Sequence, residues 1–535
     1  MPLPAPDWIS FEAEKTEGLD LLGLRAPVQR IGNQLFNGVT TVTPKVRYLS
    51  VLAWIVWRYS EARLPNSWKS FIAFAEAQEA MIVMANRLKS RSILNLVGVT
   101  KADKLLNSSD NTLPMERLAQ QVAYNIYVTT SRQLNLTHAE NSAFAGLTKE
   151  RGIELAKAFD RVIDGTTYGK ELGRDARKNR VMRKRLEELA DGVFLDRIPA
   201  EERNILIDAV VPQKPERGER DRVANYALLL WLAKAKRRGV QEGDIFSAAA
   251  VLPRGLPACL LAVLDGWLEY MIRDLIAVTH EAVFDAVMRQ IDIASAERDA
   301  PALASDVVAT LLNETDEHNS LLRQLDLLSA RETIKNMDFA SLRERVHRAC
   351  SDRETVNGGL RRWQGGMIET TIYEMALKAG ASSAVILPVA WCLAAERIAP
   401  EMFKATGEHR RILTLGSLFQ IGIEDVILPK LDEFAGERRT VREVMAELIT
   451  RTVQQHLRVA WTRFSPPQGK DVSVLVADHD TWARNNGFRA GRTDSRLSVA
   501  IDWLYQLGLV NDVGLTSRGE RILDRSLAML NRGLS

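Results

Sequence analysis

Apolar residues recur three and four positions apart through most of this chain, which is the repeat of an amphipathic helix. After Gly38, Thr43 stands as a cap and Pro44 suits a first helical turn. Lys45–Arg58 then follows, with Val46, Leu49, Leu52, Ala53, Val56 and Trp57 on one face. Trp68–Asn86 repeats the pattern with Phe71, Phe74, Ala75, Met81 and Val83, and the two are expected to pair antiparallel. Further helices are expected at Met115–Leu134, Lys149–Ile163, Lys178–Leu189, Val223–Ala235 and Pro257–Ile276, and a helical block at Met367–Phe434. Two stretches break the pattern. Val211–Arg222 carries two prolines, a glycine and many charges, and reads as a linker. Thr355–Gly366 carries four glycines. The breaks divide the chain into an N-terminal helical domain (1–211), a middle helical domain (223–354), a helical block (367–436) and a C-terminal module (440–535).

Strand signals gather only in that last module. Thr440–Phe464 reads as a helix, Asp471–Val476 as a short strand and Asp480–Asn486 as a short helix. A second helix, Thr493–Leu507, is capped by Thr493 or Asp494 and keeps Leu497, Ala500, Ile501, Leu504 and Leu507 on one face. Two short strands within Gly508–Gly519 and a helix Glu520–Asn531 complete it. The run WLYQLGLVNDVGLTSRGERIL resembles the close of a winged helix-turn-helix domain, in which a helix stops at an LGLV-like sequence and an LTxxGxxxL segment returns after the wing. The fold class expected is therefore mainly α, a multi-domain helical protein with a C-terminal winged-helix (α+β) module.

The resemblance implies that the second helix of the pair could enter a major groove while the wing touches the backbone. Arg484, Arg489, Arg492 and Arg496 surround the turn and the start of that helix, and Arg518 and Arg521 flank the wing. Arginines in such places neutralise phosphate. The outward face of the helix offers Ser498, Asp502 and Gln506, with no basic ridge. A second basic run, Gly173–Glu188, would place Arg177, Arg180 and Lys184 on one helical face. Lys234–Gly239 is shorter, and its charge suits a helix C-terminus.

Composition narrows the classes. Of 535 residues, 71 are Lys or Arg and 68 Asp or Glu, so the net charge is only +3 and no field of the whole molecule draws it to polyanions. Residues 440–535 hold 13 basic and 10 acidic side chains, so the whole surplus can be assigned there. Cys259, Cys350 and Cys392 are isolated, with no disulfide framework or CxxC knuckle, as in a reducing cytoplasm. The N-terminus lacks a secretory pattern. The weakly polar stretch Ala379–Ala395 is broken by Ser382, Ser383 and Pro388, and is shorter than the ~20 residues a bilayer needs. A soluble, cytoplasmic, bacterial chain without membrane contact is expected.

No catalytic constellation follows from spacing. Arg451 and His456 form Arg-x4-His, which resembles the motif of HEPN ribonucleases, but they fall in the winged-helix region and not in a HEPN bundle. Gly165–Lys170 lacks the spacing of a P-loop, and Glu171 stands where the magnesium ligand would be. Asp478, His479 and Asp480 make the one tight carboxylate–histidine cluster, with Asp480 read as a cap. Trp54, Trp57 and Trp68 are read as core. No cofactor or metal site is expected.

The segment Leu22–Tyr59 is similar to the N-terminal part of uncharacterised bacterial proteins found in antiphage and mobile-element neighbourhoods. Gly38, Thr40, Val42, Thr43, Arg47, Tyr48, Ser50 and Trp54 carry that likeness. Together these features point to a non-catalytic subunit of a multi-protein complex, engaging double-stranded DNA or acting as a scaffold. The alternatives are a kleisin-like bridge of an SMC-type ATPase, which also ends in a winged helix, and a cryptic nuclease.

Overall fold

The computed structural model describes residues 20–139, 143–172, 179–356, 359–363, 368–378, 383–404, 421–463 and 473–532. It is mainly helical, and its strands are short. The chain divides into two compact, discontinuous units. One holds Met1–Arg30 and Leu268–Thr493, the other Ile31–Trp267 and Asp494–Ser535. These do not coincide with the four consecutive segments read from composition. Val211–Arg222 lies inside the second unit, and residues 440–535 are shared between both.

In the unit of Ile31–Trp267 and Asp494–Ser535, helix Tyr48–Glu61 is almost wholly buried. Its chief neighbour is Gly152–Asp164, more than the expected partner Trp68–Lys89. Trp54 packs 5.7 Å from Phe159 and donates its indole N–H to Asp160 at 2.8 Å. Helix Trp68–Lys89 still touches it, through Phe71 and Phe74 against Tyr59. Thr43 does not cap this helix. Its hydroxyl donates to Thr40 O and closes the preceding turn, and the helix begins at Tyr48 after Arg47.

The expected linker is an ordered connection. Val211 and Pro212 are buried, Glu216 and Glu219 form a reciprocal capping box, and helix Arg220–Lys236 follows. Arg222 is fully buried. It donates to the carbonyls of Val210, Asn37, Gln133 and Ala209 and to Glu219. One guanidinium thereby satisfies four carbonyls from three segments. A polar, proline-rich string can read as a linker when one of its arginines is in fact a hub.

In the unit of Met1–Arg30 and Leu268–Thr493, helices Ser383–Glu396 and Val441–Arg463 pack together. The expected buried helix at Ala379–Ala395 is seen as Ser383–Glu396, whose residues from Ala384 to Ala394 are all buried, Pro388 included. Among the described residues no helix is long and apolar enough to cross a membrane. Of the expected break at 355–366, the described residues contribute to an antiparallel pair, Arg353–Val356 against Leu360–Trp363. Asp480–Asn486, expected as a helix, supplies strand Thr481–Arg484. It pairs with Leu475–Asp478 on one side and Ala302–Leu303 on the other. Trp482 is buried there, and a β-prone Thr-Trp pair with a ladder on both sides outweighs a weak local helix signal.

The remainder of the expected C-terminal order is present. Helix Leu497–Gln506 leads into an antiparallel ribbon, Val510–Asn511 with Gly514–Leu515, and then into helix Ser517–Arg532. The glycine of the LTxxGxxxL run has a physical reason. A Cβ on Gly519 would stand 2.1 Å from the carbonyl oxygen of Leu509, so the last helix can cross the wing only without a side chain there.

Candidate functional site

The arginines expected to face DNA are largely committed to bonds within the chain. Arg484, at the end of its strand, is ion-paired with Asp292 and donates to Asn486 O at 3.1 Å. Arg492 lies 3.4 Å from Asp274 and 4.3 Å from the centre of the Tyr373 ring. Burial would lower its pKa, yet the charge of Asp274 and the Tyr373 phenol leave it raised. Asp274 is fully buried, and its pKa is raised by burial against the pull of Arg492 and the Thr493 N–H. Asp274 and Asp292 lie on one helix, Leu261–Arg298. At 1.5 Å per residue their anchored arginines are roughly 27 Å apart along the axis, so these two form no joint phosphate clamp. Arg489 is exposed.

In the other unit, Arg496 has a left-handed backbone, φ +62°, and donates to Val39 O at 2.8 Å. Of the two expected caps, Asp494 accepts from Arg496 N. Ser495, which was not foreseen, accepts from Leu497 N, and the helix starts at Leu497 and not at Thr493. Arg518 is half-buried at the start of the last helix, and Arg521 is exposed. Burial lowers the pKa of Arg203, and the positive charge of Arg518 lowers it further.

The second basic run is not one helical face. Arg177 lies outside the described residues. Arg180 is on strand Arg180–Met182 and donates to Thr112 O at 2.8 Å. Lys184 is exposed on helix Arg183–Ala190. The Lys234–Gly239 run is neutralised by side chains as well as by its helix end. Lys236 and Arg238 both pair with Asp244, at 2.6 and 2.7 Å, and Lys234 with Glu520 at 2.7 Å. Burial works to raise the Asp244 pKa, but those cations and the Gln241 N–H hold it below the ordinary value.

The helix expected to read DNA is docked within its own unit. Ser498 N and Ser495 Oγ both donate to Glu242, at 3.0 and 2.9 Å. Trp503 donates to Thr43 O at 2.9 Å. Gln506 accepts from Val46 N at 3.0 Å and donates to Pro44 O at 2.7 Å. Of the three outward residues, Gln506 has its side chain engaged in internal contacts, while Ser498 and Asp502 are exposed. The wing is seated too, since Gly239 N donates to Asp512 O at 3.2 Å.

Arg451 and His456 do not converge on a catalytic cleft. Arg451 pairs with Glu447 at 3.4 Å. His456 is fully buried, with Nδ1 donating to Leu21 O and Nε2 accepting from Val474 N, so neither nitrogen is spare. Asp478 and His479 bond at 2.7 Å on the open surface, and among the described residues no cluster could hold a metal ion.

One recess went unnoticed in the sequence. Trp68, read as core with Trp54 and Trp57, is 45% exposed, whereas Trp54 is buried and Trp57 half-buried. Trp68 lines a cavity of about 350 Å³ with Tyr124, Phe144 and Arg132. The available signal was its place as first residue of a helix, directly after the capping Ser67.

No family model, curated protein or solved structure matches the chain.

Proposed function

We propose that the chain is a non-catalytic scaffolding subunit of a larger bacterial assembly, working in the cytoplasm, in which the helix–wing–helix segment is a structural clasp and not a groove reader. The observation that carries this reading is the docking of helix Leu497–Gln506. Its first turn is held by Glu242, and its Trp503 and Gln506 side chains by the turn at Thr43–Val46. Entering a major groove would compete with the Gln506 contacts at the end of the helix, at ~1 kcal/mol or more for each hydrogen bond lost. The same occupancy weighs against a kleisin-like use of this helix on an ATPase head. Buried Cys350 and Cys392 thiols, both pushed up to about 12 by burial, are consistent with a reducing compartment. The setting of defence against foreign DNA rests on the likeness of Leu22–Tyr59 alone.

Trp461, 81% exposed on helix Val441–Arg463, is the surface side chain best suited to anchor a protein partner. Affinity capture of the full chain from cells expressing it with its neighbouring genes should recover a stoichiometric partner, and Trp461→Ala should weaken that complex. In gel retardation with duplex DNA, the triple variant of Arg489, Arg492 and Arg496 to Ala should behave like the parent. Loss of a salt-sensitive shift in a variant that keeps its circular dichroism spectrum would restore the groove-reading role.

A further inference from the structure

The recess beside Trp68 is lined, within one unit, by residues of two helices and by Ala139, Ala143 and Phe144. Helix Trp68–Lys89 begins at its rim, where Ser67 Oγ accepts from Ser70 N at 3.2 Å and fixes the first turn. Helix Ala123–Gln133 contributes Asn125, Val128 and Arg132, which stand three and four positions apart and so share a face. The aromatic wall is held rigid. Phe144 stacks on Phe71 at 4.4 Å with ring planes 7° apart. Tyr124 packs 4.7 Å from Phe71, and its hydroxyl accepts from Ala145 N at 2.9 Å. Trp68 lies 6.0 Å from Tyr124 and keeps nearly half its surface open.

The polar groups select among guests. Asn125 and Arg132 are exposed at the recess. Among the described residues that line it, Arg132 alone is charged. That disfavours a quaternary ammonium ion, which aromatic cages otherwise suit. A purely apolar guest would gain nothing from the guanidinium or the amide. A planar heterocycle stacks on an exposed indole, an amide offers one donor–acceptor edge, and a guanidinium matches phosphate. The volume of about 350 Å³ lies within the ~300–1,000 Å³ of small-molecule sites.

We propose that this recess binds a nucleobase carrying a phosphate, with the base stacked on Trp68, its edge on Asn125 and the phosphate on Arg132. The site does not depend on the scaffolding reading, since a subunit that fails to capture a partner would still bind the nucleotide. The guest is either a free nucleotide or a nucleotide of a single strand.

Calorimetric titration of the full chain with adenosine monophosphate, adenosine, inorganic phosphate and a short single-stranded oligothymidylate tests it. Saturable binding of the monophosphate is expected, weaker binding of adenosine, and none of phosphate alone. Trp68→Ala should weaken the monophosphate by about tenfold or more, and Trp68→Phe should restore most of the loss. Arg132→Ala should reduce the monophosphate to the level of adenosine. An oligonucleotide that binds more tightly than the monophosphate, with the same dependence on Trp68, identifies a strand as the source. Equal or weaker binding of the oligonucleotide identifies a free nucleotide. The proposal is overturned if neither probe binds, if phosphate alone competes as well as the monophosphate, or if both Trp68→Ala and Arg132→Ala bind as the parent does.

Discussion

Arg47 and Glu202 are both fully buried, and they meet as a fork, Nε to Oε1 at 2.8 Å and Nη2 to Oε2 at 2.9 Å. The remaining donor of Arg47 serves the carbonyls of Phe194 and Arg197. Taking two charges out of water is costly, and only complete pairing offsets it. Arg47→Ala would leave Glu202 buried and unpaired, so a loss of about 3–5 kcal/mol is expected in urea unfolding. The double change Arg47→Met, Glu202→Leu should recover most of it. Had Arg47 instead faced a partner, the single change would be nearly silent. The sequence left both fates open, because Glu202 is 155 positions away and no local pattern links the two.

At the scale of elements, period and turn chemistry were legible and pairing was not. Helix Leu497–Gln506, the ribbon and the last helix follow from a three-and-four repeat and a Gly-rich turn, both of which act within a few residues. Strand Thr481–Arg484 pairs over four residues with nearby Leu475–Asp478 and over two with Ala302–Leu303, some 180 residues earlier, and the second partner leaves no local signal. Arg180 was misplaced onto a helix for the same reason, since its strand is defined by Thr112–Pro114. Gly519 offers a test of the clasp. With no room for a Cβ beside Leu509 O, Gly519→Ala should cost about 1–3 kcal/mol, although alanine is the better helix former. An unchanged denaturation midpoint would mean that the last helix crosses the wing less closely.

At the scale of the whole molecule, buried titratable groups make stability depend on pH. His280 is fully buried. Its Nε2 accepts from Trp391 at 3.1 Å and its Nδ1 donates to Thr452 Oγ1 at 2.7 Å, while Thr452 donates to Leu448 O. Burial first, and the Arg451 charge second, lower its pKa to about 3 from 6.5. Between those values the unfolded chain holds the proton and the folded chain does not. The stabilising contribution is therefore complete above pH 6.5 and is lost as pH falls towards 3, at up to about 1.4 kcal/mol per unit. Unfolding free energies from urea titrations at pH 7 and pH 5 should differ by about 2 kcal/mol more in the parent than in His280→Gln. An equal difference in both would show that His280 is not buried neutral.

By itself the sequence determined the helical character, the helix–ribbon–helix close and the concentration of positive charge in the last 96 residues. Those properties are local or additive. Only the tertiary structure decided which charges remain available. Arg484, Arg492 and Arg496 find Asp292, Asp274 and Val39 O between roughly 190 and 460 positions away. It also opened Trp68 to a recess instead of the core. Net charge counts side chains, whereas binding depends on those that folding leaves unpaired, and pairing is a property of distance in space.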